Sequence, residues 1–190
     1  MNNMKSFLPR LKSDPKGQSF MELTVVLGVL LMLLLGMVEF SLLLNQYVAL
    51  VDAAREGARR GAGGQVDPYT STYTANETFF TDIDDIIEGQ SESTGALDAI
   101  ILNPTTDDVV ITFYRIVGNS IEATYGWSKH SLHTSQVNIE STVNSSSAPD
   151  SGVVVVEIFY SHPSIFLPDP IPVHAYAIMP LPKAKPTAVP

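Results

Sequence analysis

The chain has 190 residues, a formal net charge of −9 at pH 7 and no cysteine. The acidic balance, without clustered cations, argues against nucleic acid as a partner, because such surfaces neutralise phosphates with Lys and Arg. The lack of cysteine excludes a disulfide framework, a thiolate nucleophile and a zinc site with thiolate ligands. No cofactor is predicted.

Residues 1–17 form a short basic leader, with Lys5, Arg10, Lys12 and Lys16 as its cations and Asp14 as its acid. The leader precedes an apolar run. A secretory signal peptide instead places a small-residue cleavage site after its apolar core, and no such site is present here. The leader is therefore predicted to be a separate cytoplasmic segment.

The segment Leu23–Leu44 is apolar apart from Thr24, Glu39 and Ser41. As a helix it would be about 33 Å long, close to the roughly 30 Å hydrocarbon thickness of a bilayer. A buried core helix is the alternative, but a domain this small has little interior to surround it. We predict a single-pass transmembrane helix with a cytoplasmic N-terminus, because long acidic domains translocate with little regard to charge. The C-terminal domain would then be periplasmic or extracellular.

The helical pattern does not stop at the end of the apolar segment. It continues into the sequence AAREGARRGA at residues 53–62, where Glu56 is spaced to pair with Arg59 and Arg60. The first strong helix breakers are the glycines from Gly61 onward. We therefore predict one helix from about Phe20 to about Arg60, within a segment 18–62 whose last third is amphipathic and outside the lipid.

Two carboxylates, Glu22 and Glu39, bracket the apolar segment. A carboxylate in lipid is costly unless it is paired, neutralised or near an interface. Glu39 is close enough to the far end to reach the interface. Glu22 could favour the start of a helix through the helix dipole. If the chain were cut after Gly17, the same carboxylate could instead pair with the new amino terminus at Gln18, where a low dielectric would strengthen the attraction.

The segments GQSFMEL, GMVEFSLLLNQ and AAREGARRGA resemble the TadE-like pseudopilins of the tight adherence (Tad, or Flp) pilus. Gly17, Gln18 and Glu22 resemble a prepilin processing signal. The resemblance implies cleavage by a prepilin peptidase and a role as a minor pilin in pilus assembly and surface adhesion. It implies other pilins or pseudopilins, the assembly platform and membrane lipid as partners, and a location in the inner membrane or in a pilus. The helix and assembly motif would comprise Glu39, Arg55, Glu56, Gly57 and Arg59.

The remaining chain, residues 63–182, is predicted to be an α+β domain with an antiparallel sheet packed on the end of the long helix. The helical spacing of Phe79, Ile83, Ile86 and Ile87 predicts one or two short helices. A turn at 118–119, a loop at 144–151 and a disordered tail at 183–190 are also expected. The predicted strands are Asp108–Val117, Ile121–Tyr125, Gln136–Val143, Gly152–Tyr160 and Val173–Met179.

Two groups of side chains in this domain contain residue types that can bind a metal. His130 and His133 have a spacing that suits a metal on a helix, but their neighbours indicate a loop. The acidic group lacks the spacing and glycine of an EF-hand and is better explained as a solvated helix face; it comprises Asp82, Asp84, Asp85 and Glu88. Neither group predicts a metal site.

Two further functions stay open beside the pilin-like one. The chain could be an uncleaved single-pass membrane protein whose outer domain binds a partner or a ligand. A membrane-tethered hydrolase is the third class, but the sequence contains no nucleophile elbow, zinc-protease motif or phosphate-binding loop. We therefore predict that the protein is not an enzyme.

Overall fold

The computed structural model describes residues 15–63, 68, 75–93, 101–117, 120–139 and 151–181. In these ranges the chain forms helices α1 (Pro15–Ala62) and α2 (Glu77–Ser93) and strands β1 (Asp108–Val117), β2 (Ser120–Ser128), β3 (Ser151–His162) and β4 (Ile171–Leu181). The predicted α+β class is confirmed. Residues 1–14 of the leader, the turn at 118–119, nearly all of the loop at 144–151 and the tail at 183–190 lie outside the described residues.

Helix α1 has 48 residues and begins at Pro15, five residues before the predicted start at Phe20. Proline is favoured at the first helical position because its missing N–H needs no partner there. At the other end, the Gly63 N–H donates to the Arg59 carbonyl over 3.0 Å. Arg59 and Arg60 lie in this last turn, where the helix dipole favours cations. Helix α1 therefore includes the last residues of the predicted leader.

The chain divides into two compact units, Met1–Ser41 and Leu42–Pro190. The helical part of the first unit displays large apolar side chains, with Met32 77% exposed and Val25 64% exposed. In the described part of the chain, one helix is apolar and long enough to cross a membrane. Its most apolar window has a mean hydropathy of 2.5, and none of that window is buried. This exposure favours a lipid-facing helix over a core helix, which would be covered by protein.

The second unit contains a four-stranded antiparallel sheet in the order β2-β1-β3-β4. Strand β3 lies between β1 and β4, so Phe113 pairs with Val154, which pairs in turn with Met179. The VVVVEIFY segment therefore forms an interior strand of the sheet. Strand β4 lies at an edge of the sheet and contains Pro172 and Pro180. Proline is tolerated in an edge strand because no further strand needs its missing N–H.

One face of the sheet packs against the final turns of α1, as predicted, and also against α2. Asn76 caps the start of α2, because its side-chain oxygen accepts a hydrogen bond from the Thr78 N–H. Phe79, Ile83 and Ile87 are buried as the helical spacing predicted, and Phe80 is buried as well. The core residues of this face include Leu50, Ala54, Ala58, Phe79, Ile83, Val109, Ile111, Phe113, Val154, Val156, Ile158, Val173 and Ala175.

The opposite face of the sheet is covered by residues 133–139, which belong to no strand. Ile139 is buried there with Ile116 and Val155. The predicted strand Gln136–Val143 is therefore wrong over residues 136–139, and residues 140–143 lie outside the described ranges. The alternation of apolar residues in this segment arises from packing onto a sheet face and not from ladder pairing.

Candidate functional site

The segment from Gly17 to Glu22 lies in the first turns of α1. The Gln18 side-chain amide donates to the Glu22 carboxylate, with 3.2 Å between Nε2 and Oε1. The two residues are four apart, so they lie on one face of the helix. The Glu22 carboxylate therefore reaches back to the residue that would become the amino terminus after a cut at Gly17.

The hydroxyl side chains of the apolar segment find acceptors inside the helix. Thr24 Oγ1 donates to the Phe20 carbonyl over 2.9 Å, and Ser41 Oγ donates to the Met37 carbonyl over 2.8 Å. Neither hydroxyl would present an unsatisfied polar group to lipid. Glu39 differs from its neighbours, because its side chain is 9% exposed whereas that of Phe40 is 64% exposed. Glu39 is thus a buried carboxylate near the end of an apolar segment whose large side chains are mostly exposed.

The AAREGARRGA motif separates small and charged side chains onto different faces of α1. Ala54 and Ala58 are fully buried in the core. Gly57 and Gly61, which share that face, lie so close to α2 that a Cβ atom would meet Ile87 Cγ1 at 2.9 Å and Ile83 Cδ1 at 2.8 Å, respectively. Small residues at this three- and four-residue spacing let two helices approach closely. The motif is therefore the surface of α1 that packs on the rest of the domain.

The charged residues of the motif form ion pairs, in part as predicted. Arg59 Nε donates to Glu56 over 2.7 Å, which confirms one predicted pair and lowers the pKa of Glu56. The predicted pair between Glu56 and Arg60 is wrong. Arg60 instead makes a bidentate contact with Asp82 of α2, at 2.7 and 2.9 Å. The planar guanidinium matches both carboxylate oxygens at once, so this geometry is preferred to a single contact along the helix.

Arg55 takes no part in the contact between the helices. It lies on the exposed side of α1, and Arg55 Nη1 is 3.5 Å from Asp52 one turn away. Its side chain is 65% exposed. Of the predicted motif residues, Gly57 is thus buried against α2, Glu56 and Arg59 pair with each other, and Arg55 points outward with Asp52.

Three of the four acidic residues predicted to form a solvated face of α2 pair with cations from outside the helix, and one of them is buried, so the prediction is only partly correct. Lys129 Nζ is 2.6 Å from Asp84 Oδ2 and also pairs with Glu88. Burial raises the pKa of Asp84 above its usual value, although Lys129 opposes that shift. Asp82 pairs with Arg60, which holds the pKa of Asp82 low. Asp85 and Glu88 are exposed, whereas Asp84 is buried and Asp82 is half-buried.

The two histidines whose spacing would suit a metal on a helix are used separately. His130 Nδ1 is 2.8 Å from the Asp107 carbonyl, and the His133 ring stacks on Phe159 with 4.2 Å between centroids. The segment is irregular, as predicted. Among the described residues, no three His, Cys, Asp or Glu side chains are placed to hold a metal ion.

Asp108 organises this irregular segment and was not singled out from the sequence. It is fully buried and accepts hydrogen bonds from Ser128 Oγ and from the backbone N–H groups of His130, Leu132 and His133. Burial disfavours its charge, but these donors outweigh that effect and hold the pKa of Asp108 below its usual value. A buried carboxylate at the start of a strand gives no periodic signal, so the sequence offered no pattern from which to predict it.

The small-residue face of α1 packs against α2. Comparison with known proteins finds a match for the part of the chain that contains most of this face. The family model described as TadE-like protein matches residues 17–59. Comparisons with curated proteins and with solved structures find no match. The matched segment contains the apolar helix and most of the AAREGARRGA motif, and leaves the sheet outside. Over residues 17–59, the chain is therefore similar to the TadE-like proteins.

Proposed function

We propose that the protein is a minor pilin or pseudopilin of a Tad-type pilus, and that it contributes to pilus assembly and surface adhesion. The observation that carries this proposal is the TadE-like match over a helix whose apolar side chains are exposed. A helix of this kind can be held in lipid and can later pack against helices of other subunits. The role is structural, and no enzymatic step is part of it.

Processing is the first step of the proposed function. A prepilin peptidase would hydrolyse the peptide bond between Gly17 and Gln18, remove residues 1–17 and leave an ammonium group at Gln18. The contact between Gln18 and Glu22 supports this role, because it places a carboxylate one turn from the new terminus. An ammonium at the edge of a bilayer needs such a partner, either in its own subunit or in a neighbour.

Placement in the membrane is the second step. The proposed topology has the N-terminus in the cytoplasm, the Leu23–Leu44 segment across the inner membrane and the α+β domain on the outer side. Lipid surrounds the helix before assembly. Other pilins and the assembly platform would replace that lipid when the subunit enters a pilus.

Intact-mass measurement on protein purified from its native membrane tests the proposal. We expect a chain that starts at Gln18, with or without the loss of ammonia that cyclises an N-terminal glutamine. The variant Gly17→Leu should keep the leader and stay out of sheared pili. Gly28→Leu is the matched control, because a Cβ at Gly28 meets nothing within 4 Å. A wild-type chain that retains residues 1–17 would support the uncleaved single-pass alternative and contradict our proposal.

A further inference from the structure

The loop between β3 and β4 displays three consecutive apolar side chains. Ile165 is 66% exposed, Phe166 50% and Leu167 56%. The Ser164 hydroxyl oxygen accepts hydrogen bonds from the Phe166 and Leu167 N–H groups, at 3.2 and 3.0 Å, so the loop backbone has a defined turn. Prolines at 163, 168 and 170 restrict it further. An ordered turn that exposes adjacent apolar side chains indicates a contact surface.

Strand β3 runs antiparallel to α1 and therefore determines where this loop lies. Near the end of α1, a Cβ at Gly61 would be 3.2 Å from Val154 Cγ1. At the other end of β3, the His162 ring is hydrogen-bonded to the Gln46 side chain. From Gln46 to Gly61, α1 rises about 22 Å over 15 residues. From Val154 to His162, β3 rises about 26 Å over eight residues. The similar lengths mean that α1 and β3 run side by side between these two contacts.

The loop continues in the direction of β3. The last pair of the β3–β4 hairpin is His162 with Ile171, so residues 163–170 extend beyond it. At strand spacing, the four residues of each arm reach at most about 13 Å further. Gln46 follows the last apolar residue of the predicted span, Leu44, by two positions. The exposed side chains of the loop thus lie at the level where α1 leaves the apolar segment.

The chemistry of the loop fits a lipid interface. Asp169 is its single charged residue, and it carries no Lys or Arg that would require anionic headgroups. Contiguous apolar side chains that include an aromatic ring partition into the boundary between headgroups and acyl chains. A bilayer crossed by α1 would be present at that level without any further binding event. A protein partner would have to be recruited to the same place.

We propose that Ile165, Phe166 and Leu167 insert into the bilayer interface on the side of the folded domain and form a second membrane contact beside α1. This inference rests on the membrane anchoring in the proposed function. One helix alone leaves the domain free to rotate about the helix axis. A second contact, tied to α1 through Gln46 and His162, would orient the domain on the membrane.

Site-directed labelling tests the second contact, and the cysteine-free chain suits it. The variant Phe166→Cys, labelled with an environment-sensitive fluorophore, is reconstituted as the full chain in phosphatidylcholine vesicles. Ser120→Cys is the matched control, because Ser120 is exposed and pairs with Val117 at the opposite end of the sheet. We expect brominated lipids to quench the label at 166 and aqueous iodide to quench it several-fold less than the label at 120. Emission of the single tryptophan, Trp127, checks that both variants are folded.

The outcomes separate this proposal from the proposed function. A chain that alkaline carbonate releases from the vesicles would overturn the membrane anchoring and, with it, this inference. A chain that stays inserted while iodide reaches positions 166 and 120 equally would overturn the loop contact alone. Protection of position 166 that requires added pilus subunits would assign the surface to a protein contact and would also overturn the proposal.

Discussion

Replacing Gly57 by leucine should separate α1 from α2 and destabilise the folded domain. A Cβ atom at this position would be 2.9 Å from Ile87 Cγ1, 3.0 Å from Ile87 Cδ1 and 3.2 Å from Ile83 Cγ2. Both isoleucines are buried in the core. A leucine adds three further carbon atoms to that volume, so the isoleucines cannot relax by a small rotation and the helices must move apart.

The change in the free energy of unfolding follows from two opposing effects. Overpacking a core costs about 1–3 kcal/mol for added methylene groups, whereas replacing glycine inside a helix gains about 1 kcal/mol. For Gly57→Ala the two effects nearly cancel, and we expect the free energy of unfolding to fall by about 0–2 kcal/mol. For Gly57→Leu the steric effect dominates, and we expect a loss of about 3 kcal/mol or more.

Trp127 provides the assay. Its ring is stacked on Phe80 of α2, with 6.5 Å between centroids and 8° between planes. Separation of the helices should therefore change tryptophan emission. Urea unfolding of the full chain in detergent micelles would be followed by this signal, with Gly36→Leu as the control, because a Cβ at Gly36 meets nothing within 4 Å. Equal unfolding midpoints for the Gly57 and Gly36 variants would refute the proposed packing role of the motif.

Three further substitutions test charged groups. For Glu22→Gln, intact-mass measurement should still show removal of the leader. The amount of subunit in sheared pili should fall, because the new amino terminus loses its anion. A normal amount of subunit would contradict this pairing. Lys129→Met should cost about 3 kcal/mol by leaving Asp84 buried without its cation. The folded-state pKa of Asp84 is raised, so the free energy of unfolding of Lys129→Met should fall as pH rises above about 4, the usual Asp value. Urea titrations of the double variant, which also has Asp84→Asn, should show no such pH dependence. Asp108→Asn should cost about 2–4 kcal/mol, because an amide cannot accept all four hydrogen bonds. The folded-state pKa of Asp108 is lowered, so the carboxylate stabilises the fold above about pH 4 and this stabilisation is lost in acid. The free energies of unfolding of wild type and Asp108→Asn should therefore converge in acid. A constant difference down to pH 2 would contradict the role given to Asp108.

The features that could be predicted from the sequence are those determined by neighbours along the chain. The apolar length of Leu23–Leu44 predicted the exposed helix, and the β-branched run predicted β1 with the bounds Asp108–Val117 that the structure has. The spacing of apolar residues likewise predicted α2. In each case the local pattern is enough, because period and length alone distinguish a helix from a strand.

The features that could not be predicted depend on residues far apart in sequence. Arg60 and Asp82 are 22 positions apart, and Lys129 and Asp84 are 45 apart. Helical spacing favoured Glu56 as the partner of Arg60, because it compares only residues of one helix. The choice of Asp82 required the crossing of α1 and α2, which brings two separate elements together.

The small residues of α1 carry a signal that its charged residues do not. Ala54, Gly57, Ala58 and Gly61 recur at intervals of three and four positions, which indicates a close helix contact. The change of side-chain size along α1 follows from what surrounds each part. Lipid chains adapt to leucine, valine and methionine of any rotamer, so the segment before Leu44 can be uniformly bulky. Helix α2 cannot adapt in this way, because its isoleucines already fill the interface. The part of α1 that meets it must therefore be reduced to alanine and glycine, and a bulky residue there should damage the domain while the same residue in the apolar segment should not.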